Sequence, residues 1–171
     1  MQINLIDETK VNLQEVVQSL LSQKSGTEWA EKTNHLSINY VKHLGEVYGD
    51  SWYKGFLPQE FFLDILLPKH GHSEESDEAA FFHLDTTVKG AREYFKNPPE
   101  EAKECLDLIN YLKQEIKKDG FKTSIVLAVI NEKLKHVDGL HRMIALAFLL
   151  EEGLKYKPVP VFLCDATRAR N

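Results

Sequence analysis

An α+β fold, in which a small mixed sheet is preceded by an N-terminal helical region, is what this sequence predicts. Three observations carry the prediction. Apolar residues recur at helical spacing through much of the first half, as in "KVNLQEVVQSLLSQ", where Val11, Val16, Val17, Leu20 and Leu21 share a face. The second half contains a helix with both ends written out, "PPEEAKECLDLINYLKQEIKKDG". Two β-branched runs, "KTSIVLAVI" and "KPVPVFLC", stand on either side of a second, strongly apolar helix.

Taken in order, the first helix is followed by "TEWAEKTNHLSINYVKHLGEVYG". Trp29, Leu36, Tyr40, Val41, Leu44 and Tyr48 continue the helical period there, with Ser25 or Thr27 as a cap. The aromatic-rich stretch "DSWYKGFLPQEFFLDILLPKHG" predicts a short helix from Pro58, since proline suits the first helical position. Its aromatics, Trp52, Tyr53, Phe56, Phe61 and Phe62, read as packing, or else as the wall of a pocket with Trp52 and Tyr53 at the rim. "KHGHSEESDEAA" is polar, acidic and aperiodic, a surface loop and the best internal boundary. It divides the chain into a helical region over 1–78, packed on a core over 79–171.

In the core, "FFHLD" predicts a short strand and "TTVKGAREYFKNPP" an irregular connection. The helix after Pro98 and Pro99 carries acids at its start, then lysines and Gly120 at its end. "KTSIVLAVI" is a strand, "NEK" a turn and "LKHVD" a second strand. "GLHRMIALAFLLEEG" is a helix closed by Gly153, and "KPVPVFLC" is the final strand.

Composition bounds the function. With 43% hydrophobic and 27% charged residues, the chain of 171 can bury a sizeable core and is not compositionally disordered. A net charge of −5 argues against nucleic acid or anionic membrane as a partner held by overall charge. The two cysteines, Cys105 and Cys164, have no metal-ligand or redox-motif spacing and read as reduced core thiols. The chain opens on no signal-peptide pattern, and its longest apolar run, "MIALAFLL", is too short to span a bilayer, so a cytoplasmic protein is expected. Oligomeric state is not legible.

One segment asks for chemistry. "HVDGLHRMIAL" puts Asp138, Gly139, His141 and Arg142 at the mouth of an apolar helix. The helix dipole disfavours positive charge in a first turn, so His141 and Arg142 cost stability there unless an anion compensates. First-turn N–H groups, a glycine that permits close approach and a guanidinium together make an anion cradle. The plain alternative is a capped helix with a surface His and Arg.

The ordered series of a helix ending in "KKDG", a strand "SIVLAVI", a hairpin into "HVDGLHRMIAL" and a closing "KPVPVFL" resembles the ParB/sulfiredoxin-like superfamily, over Leu106 to Cys164. The resemblance implies a phosphate-binding turn at "DGLHR". Sulfiredoxins carry a cysteine where Leu140 stands, so a thiolate mechanism has no thiol here. ParB proteins carry a Gly-Glu-Arg-Arg type of motif, with His141 in place of its first arginine, and a DNA reader that this sequence does not show. The free serine kinases, whose turn is Asp-Gly-x-His-Arg, match Asp138, Gly139, His141 and Arg142.

That branch implies a kinase using ATP or ADP with Mg²⁺ on a small hydroxyl-bearing metabolite such as an amino acid. Gly139, the Leu140 amide, His141 and Arg142 would hold phosphates, and Asp138 would assist catalysis or bind Mg²⁺ through water. Thr123 and Ser124, with Lys122, would touch phosphate, or else form an ordinary strand entry. A base for the acceptor hydroxyl is expected at Glu93, ahead of the first-turn acids Glu100 and Glu101, its plain alternative being a solvated glutamate. No dedicated metal-ligand set is assigned, because His70 and His72 with Glu74, Glu75 and Asp77 lie in a segment that reads as solvated loop. His35 and His43 read as surface residues of their helix. A ParB-like nucleotide-gated regulator, and a non-catalytic interaction module on the same fold, are the alternatives from other classes.

Overall fold

A computed structural model describes residues 3–23, 28–67 and 86–169, with the side chains of 28–36 left aside. The elements in order are β1 (Ile6–Val11), α1 (Leu13–Ser22), α2 (Glu28–Tyr48), β2 (Trp52–Leu57), α3 (Gln59–Phe62), β3 (Leu66–Leu67), β4 (Thr86–Thr87), α4 (Val88–Tyr94), a 3₁₀ turn (Glu100–Ala102), α5 (Lys103–Asp119), β5 (Ile125–Ile130), β6 (Lys133–Asp138), α6 (Leu140–Glu151) and β7 (Val159–Asp165). Helices beside a mixed sheet make this an α+β fold, as the sequence predicts. The caps proposed at Ser25 and Thr27, the strand expected at 81–85 and the loop with His70 and His72 lie outside the described residues. No helix among those described is long and apolar enough to cross a membrane.

Two compact units emerge. One comprises Met1–Pro58, Thr123–Asp138 and Val159–Asn171, the other Gln59–Lys122 and Gly139–Pro158. The chain therefore does not divide into 1–78 and 79–171, and the N-terminal stretch is not purely helical. In the first unit five strands run in the order β1-β2-β7-β5-β6. β5 and β7 are parallel and the other neighbours antiparallel. The β5–β6 hairpin turns through Asn131 and Glu132, both with positive φ (52° and 60°), which matches the twist of tight hairpins.

The absence of β1 and β2 from the sequence reading has physical causes. All of β1 except Val11 is exposed, so it has no apolar alternation to betray it. β2 pairs with β1 and β7, and its interior Gly55 is a site of close backbone approach, since a Cβ there would lie 2.7 Å from the Ile6 carbonyl oxygen. A core of Val16, Leu20, Val41, Leu44, Trp52, Val126, Ala128, Phe162 and Cys164 joins α1 and α2 to one sheet face. Trp52 is completely buried, so it is a core residue and not a pocket rim. On β5 the opposite face, Ile125, Leu127 and Val129, is buried as well, which explains its unbroken apolar run.

The last strand is clasped to the first. The Arg168 guanidinium donates to Glu8 Oε1 (2.6 Å) and to the Ile3 carbonyl (2.5 Å) and pairs with Asp165 Oδ2 (2.9 Å). It also lies 4.4 Å from the Tyr53 ring centroid. Asp165 is fully buried and accepts two further bonds from Thr167, through its N–H and Oγ1.

The second unit contains α3, the β3–β4 ladder, α4, α5 and α6. The stretch read as an irregular connection is in fact α4, started by the Thr87 side chain, which accepts from the Gly90 N–H (3.1 Å). At seven residues α4 is too short for a helical period to stand out. α5 begins and ends where its acids, lysines and Gly120 place it. Both α4 and α5 pack on α6.

Removing the clasp should cost more than removing a surface pair. Arg168→Ala leaves the buried Asp165 without its cation and is expected to lower unfolding free energy by about 3 kcal/mol or more. Lys54→Ala breaks an exposed pair with Glu15 (2.7 Å) and should change it by about 0–1 kcal/mol. Urea denaturation of both variants checks the contrast; equal effects would contradict it.

Candidate functional site

Strand β6 ends on Asp138, and the chain enters α6 through Gly139. Gly139 is the N-cap, in a left-handed conformation (φ 100°, ψ 19°), and it supplies no side chain to the helix start. Only glycine holds such a φ without strain, which is why the turn can be this tight. The first intrahelical bond runs from the Met143 N–H to the Gly139 carbonyl (3.0 Å), so the amides of Leu140, His141 and Arg142 precede the helical ladder. This is the local geometry of an anion cradle, with the positive end of the dipole at its centre.

Each side chain around the turn has its own setting. The Asp138 Oδ1 accepts from Ser37 Oγ on α2 (3.1 Å) within the first unit. Leu140 is buried. Arg142 is half-buried in the first turn. His141 is buried, 8% exposed, and its Nε2 stands 3.3 Å from Cys105 Sγ on α5, within the second unit. One end of the imidazole is thus committed to the helix pair and not to a surface ligand. Burial, and then Glu104, push the Cys105 thiol up to about 12, so it keeps its proton at neutral pH. Cys164 is a buried thiol of the first unit, also pushed up to about 12, by burial and then by Asp165. Both are core thiols, as their spacing predicts.

Thr123 and Ser124 stand just before β5 in the first unit, where the Ser124 carbonyl accepts from Gln23 Nε2 (3.3 Å). Lys122 is exposed and paired with Asp119 (2.5 Å) and Glu115 (3.4 Å) of α5. Glu93 lies on α4 in the second unit, exposed and held in an ion-pair network. Arg92 reaches it at 2.6 Å and Lys96 at 2.8 Å, while Lys96 also reaches Glu151 at 2.8 Å and Arg92 reaches it at 3.5 Å. The hydrogen bond from Lys96, then that from Arg92, holds the Glu93 carboxyl below its ordinary range. A carboxylate held low is a weak proton acceptor, and these contacts give Glu93 a structural part. Glu100 and Glu101 sit in the 3₁₀ turn that leads into α5. His43 is exposed beside Glu46.

The described residues contain no group of three or more His, Cys, Asp or Glu side chains able to hold a metal ion. Two contributors escaped the sequence reading. Ser37 meets Asp138 from 101 residues away, and no local pattern encodes that meeting. Cys105 was legible as a core thiol but not as the partner of His141.

Gly139→Ala should be costly despite its small size. A Cβ at φ 100° carries strain of about 1–2 kcal/mol, which urea denaturation would register. A variant as stable as the parent would show that the turn relaxes and is not held.

No family model, curated protein or solved structure matches the chain.

Proposed function

We propose that the turn from Gly139 to Arg142 binds nucleotide phosphates and that the protein is a nucleotide-dependent phosphotransferase acting on a small hydroxyl-bearing metabolite such as an amino acid. The observation that carries the reading is the left-handed Gly139 opening a buried helix with Arg142 in its first turn. An anion there would complement the dipole, with a guanidinium in reach of it in the sequence of the turn. The resemblance of "DGLHR" to the turn of the free serine kinases narrows the anion to the phosphates of ATP or ADP.

In this reading Arg142 supplies charge to the phosphates and the Leu140, His141 and Arg142 amides supply donors. Asp138, held by Ser37, is the carboxylate next in the chain and would hold Mg²⁺ through water. Bound Mg²⁺ would add neutralisation of phosphate charge. Phosphoryl transfer asks mainly for positioning and charge stabilisation, which these groups supply. His141 would contribute its backbone N–H, its ring being buried against Cys105.

A second reading has one observation in its favour. Glu93 is tied up by Arg92 and Lys96, which leaves the expected base engaged elsewhere. A nucleotide-binding regulator, of the ParB-like kind but without transfer, needs no base. Turnover of ATP with a panel of hydroxyl-bearing metabolites, serine first, separates the two.

Calorimetry with ATP, ADP and CTP in the presence of Mg²⁺ tests the proposal. Arg142→Ala should weaken binding about ten- to a hundredfold, the loss of a charge-assisted phosphate contact worth about 1.5–3 kcal/mol. Undiminished binding would remove the turn from the site, and a preference for CTP would favour the regulator. Glu93→Gln should leave nucleotide affinity unchanged and slow any transfer by less than about tenfold. A fall of about 10²–10⁴-fold, typical for a lost general base, would restore Glu93 to that role.

A further inference from the structure

We propose that the segment from Ile3 to Glu8 is a strap that opens and closes separately from the sheet beneath it, with Arg168 as its latch. The device lies wholly within the first unit and is independent of the phosphate reading.

The strap is defined by a break in β1. Val11, Lys10 and Thr9 pair in regular register with Trp52, Tyr53 and Lys54 of β2. Ile6 then stands opposite Phe56, so β1 holds one residue more than β2 over this step. The extra residue is a bulge, and Asp7 takes a positive φ (53°) within it. A bulge bends its strand, and here the residues before it pass over Gly55. A Cβ on Gly55 would lie 2.7 Å from the Ile6 carbonyl oxygen and 2.9 Å from the Leu5 Cβ. Ile3 and Leu5 are buried, whereas Ile6 and Asp7 are exposed. The strap is therefore held from below by two apolar side chains and by a gap that only glycine leaves.

Its two ends are held by one guanidinium. Arg168, in the turn after β7, donates to the Ile3 carbonyl at one end and to Glu8 Oε1 at the other. Glu8 also closes the strap on itself, its Oε2 accepting from the Leu5 N–H (3.3 Å). From the sheet side, Asp165 and the Tyr53 ring hold Arg168 in place. Charge-assisted bonds of this kind are the strong ones, and here they gather on a single side chain. A short segment with two buried side chains and one such latch opens at a lower free energy than its whole unit. The coupling is reciprocal. Whatever draws Arg168 off Glu8 and Ile3 frees the strap, and whatever lifts the strap loosens the turn after β7.

Amide hydrogen exchange of the full chain, read residue by residue, tests the device. In the parent protein the Leu5 amide should exchange through a lower-energy opening than the amides of β5. Arg168→Ala should speed exchange in the strap about ten- to a hundredfold, the loss of its charge-assisted bonds. Glu8→Gln, a milder change, should speed it less. Gly55→Ala sets a Cβ against the Ile6 carbonyl and should in turn speed exchange of the Thr167 and Arg168 amides. Lys54→Ala, which breaks only the pair with Glu15 on α1, should leave the strap as it was. Strap and β5 amides with one common protection, in the parent and in every variant, would show that the strap is no separate unit. Strap protection that survives both Arg168→Ala and Glu8→Gln would overturn Arg168 as the latch. Should Arg168→Ala not fold, Glu8→Gln and Gly55→Ala decide the matter between them.

Discussion

The burial of α6 is the constraint on which the rest depends. Eight of its twelve residues, Leu140, His141, Met143, Ile144, Ala145, Leu146, Ala147 and Leu149, are buried. A helix apolar on nearly all sides must be surrounded, and its polar groups are driven to its ends. At the N-terminal end this leaves Gly139, the leading amides and Arg142. At the C-terminal end it leaves Glu151 and Glu152. Water is scarce along the helix, so the dipole acts at both ends with little screening along its length.

Both ends then call for compensating charge, and at the C-terminal end residues of α4 and α5 supply it. Glu151 and Glu152 stand where the dipole disfavours negative charge. Arg92 and Lys96 reach Glu151, and Lys113 and Lys117 reach Glu152. The hydrogen bond from Lys113, then that from Lys117, holds Glu152 below the ordinary carboxylate range. Glu93 belongs to this end as a further carboxylate shared among the same cations. The opposite end carries the positive pole, a guanidinium and a glycine that clears space. In the proposed function a phosphate would complement the pole there.

Much of this was legible in the sequence where a signal is local. β5, β6, α6 and β7 follow from apolar runs punctuated by "NEK", Gly139 and Gly153, and α5 from its acids, lysines and terminal glycine. The turn of β6 into α6 was legible too, because only a glycine suits it. What failed was whatever depends on distant partners. β1 has an exposed edge and no period, α4 is two turns long, and both are defined by what they pair with. Trp52 reads equally as pocket or core until its strand is placed between β1 and β7. Glu93 reads as a base or a solvated glutamate although its partners Arg92 and Lys96 are close in sequence; what no local pattern shows is that Lys96 also reaches Glu151, 55 residues on. The pairings of Asp138 with Ser37 and His141 with Cys105 cross 101 and 36 residues and leave no local trace.

The most direct measurement follows the backbone amides of the turn. In a ¹H–¹⁵N titration of the whole chain with Mg²⁺-ATP, the largest shifts should fall on Leu140, His141 and Arg142, whose N–H groups precede the helical ladder. Inorganic phosphate should move the same amides more weakly. Shifts concentrated elsewhere, or a turn that stays still while ATP binds, would contradict the assignment of phosphate to the mouth of α6.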